Sequence, residues 1–209
     1  MLPFEILETL ALRDGRLQHT DLHVQRMGEA AAHFGFAWNA HAARQELQIA
    51  VLQHLQGAWG VRLLLAADGA SRAEAFALQP PTEPVRLRLA DAPFDAAHSE
   101  FVRYSTTQRA HLAAFAPTAP GVFDTVLWNA AGEITEGTRG NVAARIRGRW
   151  VTPPLSSGLR PGVGRAVALR EGRVVEAVLR REDVPHVDEW AWVNSLHGWL
   201  AAVLDGEKI

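Results

Sequence analysis

The sequence predicts a mixed α/β (α+β) chain in two lobes, on three observations. Up to Leu78 the chain alternates hairpin signals with two stretches of helical periodicity. The proline-rich "QPPTEP" at 79–84 breaks that pattern, and the chain beyond residue 100 reads mostly as short strands joined by glycine turns. A linker-like stretch from Phe94 to Glu100 then divides a smaller N-terminal α/β domain, 1–94, from a larger, mostly β domain, 95–209, that carries one helix of interest. A length of 209 residues suits one compact domain or two small ones.

Taken in order, "FEILETLALRDGRLQ" is a strand that turns at Asp14-Gly15 and returns briefly, because Asp-Gly readily adopts the positive φ of a tight hairpin. Thr20 or Asp21 is expected to cap a helix from about Leu22 to Phe34, with Leu22, Met27, Ala30, Ala31 and Phe34 on one side. A second helix fits Ala40–Gln56 through Ala43, Leu47, Ala50, Val51 and Leu55. "VRLLLAADGASRAEAFAL" is a hairpin around another Asp-Gly, and "VRLRLADAPF" resumes as a strand after the proline break. "RYSTTQRAHLAAF", 103–115, reads as the beginning of a helix. "DTVLWN", "NVAARI" and "WVTPP" are strands, joined by the turns "AAGE" and "RGR". "RPGVGRAVALREG" is a helix with Pro161 at or near its first turn and Gly172 beyond its end. "GRVVEAVLR", "EWAWVNSL" and "WLAAVLDG" supply the last strands.

Composition narrows the classes. With 48% hydrophobic and 21% charged residues the chain can bury a core and is not disordered. A net charge of −2 gives no electrostatic reason to expect nucleic acid or an acidic membrane as partner. There is no cysteine, hence no disulfide or thiolate chemistry. Glu5 and Glu8 stand where a signal peptide would carry positive charge, and no apolar run reaches the length of a membrane span, so a cytoplasmic protein is expected. Of the 21 Lys+Arg residues only Lys208 is lysine, which leaves 20 arginines.

Chemistry concentrates in residues 124–165. Glu136 follows a predicted strand in a polar turn with Thr138 and Asn141. "TPPLSSGLRPGVGR" sets a glycine-rich turn directly before a helix N-terminus, where backbone N–H groups and the helix dipole favour an anion such as phosphate. Taken singly, Glu136 is read rather as a solvated turn residue and Gly162 and Gly164 as mere turn formers. His19 and His23 have the i, i+4 spacing of a metal pair but no third ligand, so they are read as polar surface residues. Trp190, Trp192 and Trp199 are read as core or subunit contacts. Arg103, Arg109 and Arg160 could face an anionic substrate, with a surface reading standing beside it for Arg103 and Arg160.

Together these stretches form a pattern. "DTVLWN" at 124–129, "GEITEGTRGN" at 132–141, "TPPL" at 152–155 and "LRPGVGR" at 159–165 resemble the fold-type IV pyridoxal-phosphate enzymes, the class-IV aminotransferase family, and within it the aminodeoxychorismate lyases. "ILETLALRDG", "HVQRMGEAAAHFGF" and, near the C-terminus, "NSLHGW" extend the resemblance over nearly the whole chain. It implies a two-lobed fold with the cofactor cleft between lobes, and a homodimer acting on a small amino-acid-like substrate. It implies that Glu136 partners the cofactor's pyridine nitrogen and that Arg26 and the backbone of Val163 and Gly164 hold its phosphate. Thr138, Asn141, Asn194 and Ser195 complete the implied cofactor site, and the family often has threonine at Gly164. The implied reaction is elimination of pyruvate from 4-amino-4-deoxychorismate to give 4-aminobenzoate for folate synthesis.

One position departs from the pattern. The lyase branch reads "K-T-T-x-R" where this chain has Ser105-Thr106-Thr107-Gln108-Arg109, so the family's Schiff-base lysine is replaced by Ser105. A serine has no amine, and its hydroxyl is a poor base without an activating neighbour. Any pyridoxal 5'-phosphate is therefore expected to be held non-covalently, with Thr106, Tyr104 or a water on Ser105 as proton relay. The alternative is a pseudoenzyme, a binding or regulatory homologue. Lys208, at a chain terminus, is an unsuitable replacement for the missing amine.

Overall fold

A computed structural model describes residues 4–205 and divides the chain into two units. Lys208 lies outside the described residues. The first unit runs to Pro80 and takes in Tyr104–Arg109; the second holds Pro81–Arg103 and resumes at Ala110. The sequence-based border at 94/95 differs because the strand at 85–89 takes its backbone partners from the second unit.

In the first unit β1 (Ile6–Arg13) turns through Asp14 and Gly15, with φ of 46° and 73°, into β2 (Arg16–Leu17), as the Asp-Gly signal predicts. Helix α1 (Thr20–Phe34) starts after His19, which is left-handed and offers no side-chain cap, so neither Thr20 nor Asp21 caps it. Helix α2 (Ala40–Gln53) is capped by Asn39, whose Oδ1 accepts from the amides of His41 and Ala42 at 3.0 and 3.1 Å. It stops at Gln53 rather than Gln56. The hairpin β3 (Ala58–Leu65) and β4 (Ser71–Ala77) completes an antiparallel sheet in the order β2-β1-β3-β4. Met27, Ala31, Ala43 and Leu47 of the helices close its inner face over Ile6, Leu10 and Leu63.

The segment read as a helix start is extended instead. The Leu7 amide donates to the Ser105 carbonyl and the Thr107 amide to the Glu5 carbonyl, both at 2.9 Å, and Thr106 bridges Ile6 in antiparallel register. Two β-branched threonines suit that pairing better than a helix. The helical tendency appears on either side, in α3 (Glu100–Arg103) and a 3-10 helix over Ala110–Phe115. Phe94 and Ala97, expected in a linker, are buried in the second core.

That unit contains β5 (Val85–Leu89), β6 (Asp124–Trp128), β7 (Ile134–Gly137), β8 (Asn141–Ile146), β9 (Arg149–Thr152), α4 (Val163–Arg170), β10 (Val175–Glu176), β11 (Glu189–Asn194) and β12 (Gly198–Asp205). They form one mixed sheet in the order β10-β9-β8-β11-β12-β5-β6-β7. Strands β5 and β6 and β5 and β12 pair in parallel, while β8, β11 and β12 pair antiparallel. Trp190 and Trp192 are core residues, whereas Trp199 is half-buried, edge-on to Trp150 and beneath the Arg173 guanidinium. Pro161 lies before the N-cap of α4, outside the helix.

Candidate active site

Asp124, at the start of β6, organises the turn between β7 and β8. It is fully buried, and its Oδ1 accepts from the amides of Thr125 and Thr138 at 2.8 and 3.1 Å and from the Thr138 hydroxyl. Its Oδ2 accepts from the Arg139 amide at 3.1 Å and the Trp192 indole at 2.7 Å. The turn is narrow: a Cβ on Gly140 would come within 2.5 Å of the Trp192 ring, and one on Gly137 within 2.6 Å of Asp124 Oδ2. Only glycine allows strand, carboxyl and indole to close on each other there.

This arrangement corrects the sequence reading of Glu136. It is not in a polar turn but within β7, 3% exposed, and Asn141 opens β8. Thr138 belongs to the turn. The Glu136 carboxylate faces Arg160, whose Nη2 is 3.7 Å from Oε2. That is longer than a hydrogen bond but inside ion-pair range, and it corresponds to about 4 kcal/mol of gross attraction in surroundings of intermediate polarity. Asn141 holds the loop that carries Arg160: its Nδ2 donates to the Arg160 carbonyl at 3.0 Å. A Cβ on Gly162 would lie 2.0 Å from Asn141 Oδ1, so the loop can rest on Asn141 only with glycine there.

The same loop leads into α4. Gly162 is the N-cap and no side chain caps the helix. Small residues let α4 lie low on the sheet, with Ala168 against Ala143 and Ala191. In consequence a Cβ on Gly164 would meet the Asn194 backbone at 2.5–2.6 Å. Gly164 therefore answers a steric demand that threonine could not meet. Asn194 itself closes the β11–β12 turn, its Oδ1 accepting from the amides of Leu196 and His197 at 3.0 and 2.8 Å, and Ser195 lies in that turn. Uncapped amides at Val163 and Gly164, and a buried carboxylate at Glu136, fit the phosphate and the ring nitrogen of the implied cofactor.

Arg26 and Ser105 belong to the first unit. Arg26 forks onto Glu8, with Nε at 2.8 Å from Oε1 and Nη2 at 2.6 Å from Oε2. His23 Nδ1 adds a contact of 2.6 Å to Oε2. Burial pushes the Glu8 carboxyl up, but the Arg26 guanidinium and His23 outweigh it and hold it down at about 2. His23 is thus wholly buried rather than on the surface, while His19 is exposed as expected. No group of metal-ligating side chains occurs among the described residues. Ser105 is fixed through its carbonyl, which accepts from Leu7.

Glu136, Thr138, Asn141, Val163, Gly164 and Asn194 thus come from β7, the β7–β8 turn, β8, the start of α4 and the end of β11, all in one unit. Sequence reasoning quoted Asp124 and Trp192 without giving them a part in the site. It missed Glu8, although a charge at the parity of Ile6 and Leu10 on a half-buried strand marks a core-facing carboxylate.

A family model described as Amino-transferase class IV matches residues 5–203. A solved Mesorhizobium loti structure, described as a "putative amino-acid aminotransferase", is 33% identical with a TM-score of 0.88, covering 96% of this chain and 99% of that one. The 4-amino-4-deoxychorismate lyase of Pseudomonas aeruginosa superposes with a TM-score of 0.78 at 21% identity, over 96% of this chain and 83% of that one. The branched-chain amino acid aminotransferase of Escherichia coli does so at 0.82 and 16%, over 98% and 78%. These last two show likeness of fold. A Schizosaccharomyces pombe protein described as a "putative aminodeoxychorismate lyase" is 32% identical over 84 residues, which span 39% of this chain and only 36% of that protein.

Proposed function

The chain belongs to the amino-transferase class IV family, and from that premise we propose that it binds pyridoxal 5'-phosphate non-covalently and eliminates pyruvate from 4-amino-4-deoxychorismate. The products are 4-aminobenzoate, used in folate synthesis, and pyruvate, which together account for every atom of the substrate. The observation that carries this reading is Glu136, a carboxylate kept buried on β7 beside the Asn141 loop and the uncapped start of α4.

When bound, the cofactor supplies an aldehyde that condenses with the substrate amine and a ring that accepts the electrons of the breaking C–H bond. The chain's part is to place and balance it. Glu136 would accept a hydrogen bond from the ring nitrogen, and Val163 and Gly164 would offer backbone amides to the phosphate, for which Arg26 would supply a cation. Thr138, Asn141, Asn194 and Ser195 shape the strands and turns around that site. Thr106, Tyr104 or a water on Ser105 would relay the proton from the carbon that bears the amine. The same reading makes the working form a cytoplasmic homodimer with a small amino-acid-like substrate. Among the described residues no helix is long and apolar enough to cross a membrane.

Ser105 favours a second reading, since a serine hydroxyl can neither form the imine that would hold the cofactor nor, without an activating neighbour, act as base at neutral pH. On that reading the protein is a pseudoenzyme, a binding or regulatory homologue. Titration with pyridoxal phosphate, followed by visible spectroscopy beside Ser105→Lys, separates the two. A retained site binds free aldehyde in the wild type and gives a borohydride-fixable adduct at residue 105 in the variant. Pyruvate release above Glu136→Ala then supports the lyase; bound cofactor without release supports the pseudoenzyme. No binding by either protein overturns the cofactor reading.

A further inference from the structure

We propose that Arg160 is a positioning residue for Glu136: it orients the carboxylate and, by sharing it with the cofactor's ring nitrogen, weakens protonation of that ring. This rests on the reading of Glu136 as the ring-nitrogen partner. The main chain that carries the guanidinium is held in place. The Arg160 carbonyl accepts from Asn141 Nδ2 at 3.0 Å and from the Gly162 amide at 2.8 Å. Pro161 restricts Arg160 to extended conformations, and Gly162 can contact Asn141 only because it lacks a Cβ. The Arg160 backbone is thus fixed by its Asn141 contact, by Pro161 and by Gly162, and its side chain lies against Glu136. Both members of the pair are largely withdrawn from solvent, at 14% and 4% exposure.

The nearby carboxylate on β6, Asp124, directs its oxygens to Thr125, Thr138, Arg139 and Trp192. Glu136 is the carboxylate that lies within ion-pair range of Arg160. A ring nitrogen brought to Glu136 meets an anion that already has a cation beside it. A proton on that nitrogen would put two positive charges on one carboxylate, so ring protonation is less favourable than beside Glu136 alone. The arginine sets how strongly the ring withdraws electrons.

Two measurements test this. In cofactor-free protein, Arg160→Met lowers the melting midpoint by roughly 2–4 °C, and the loss shrinks by at least about half in a Glu136→Gln background. Arg160→Lys restores most of it. With pyridoxal phosphate labelled with ¹⁵N in the ring, Arg160→Met moves the ¹⁵N resonance toward the protonated position relative to wild type. Additive midpoint losses, or an unchanged ¹⁵N resonance in a variant that binds the cofactor, overturn the role of Arg160. Failure of the wild type to bind the cofactor overturns instead the reading of Glu136 on which it rests.

Discussion

Glu8 shows what a charge inside a small core demands. It occupies the core-facing parity of β1 between Ile6 and Leu10, and only the forked Arg26 and the buried His23 make that position tolerable. Glu8→Gln leaves the arginine without its counter-charge, and urea unfolding should show a loss of about 3–5 kcal/mol. The pH dependence has a definite sign. The folded pKa, about 2, lies below the ordinary 4.5, so the Glu8 contribution is complete above pH 4.5 and disappears as pH falls toward 2. Across that window wild type should lose more stability than Glu8→Gln, narrowing the gap between them. Gly164 makes a second prediction at this scale. Gly164→Ala drives a methyl into the Asn194 backbone, and denaturation should report a cost of about 1–3 kcal/mol. These two positions differ in legibility. Glu8 could have been read from strand parity, whereas the crowding at Gly164 depends on how low α4 lies on Ala143 and Ala191, which no local pattern records.

Among the elements, those governed by neighbours in sequence were the readable ones. The β1–β2 hairpin follows from Asp14-Gly15, and α1 and α2 from their apolar spacing. β7 was hidden because its four residues, Ile134 to Gly137, include two polar ones that are buried. Tyr104–Arg109 was misjudged because its conformation is set by β1, a partner a hundred residues away, as the Glu5–Thr107 separation of 102 shows. Thr107→Pro tests that dependence. It deletes the amide bonded to the Glu5 carbonyl and the hydroxyl that accepts from the Glu5 amide at 3.0 Å. Two such bonds amount to about 1–3 kcal/mol, and exchange of the Leu7 amide, which donates to Ser105, should accelerate.

Over the whole molecule, each sheet has its own apolar cluster, one around Leu47 and Leu63 and one around Leu127 and Trp192. Leu47→Ala and Leu127→Ala should each cost about 2–5 kcal/mol, with faster amide exchange appearing first in the unit that carries the change. The mixed α/β class and its two-part character were legible from texture alone. The placement of β5 between β12 and β6 was not, since parallel pairing leaves no turn signal in the sequence. One consequence concerns the order of synthesis. The first unit is discontinuous, because its strand-like piece at Tyr104–Arg109 is made only after β5 and α3. As the chain leaves the ribosome, hairpins and helices up to Pro80 can assemble, yet the edge of β1 at Glu5–Leu7 stays without its partner until Arg109 has emerged. For that interval the nascent chain presents open backbone to any passing strand, a reason for chaperone attention that the finished protein no longer displays.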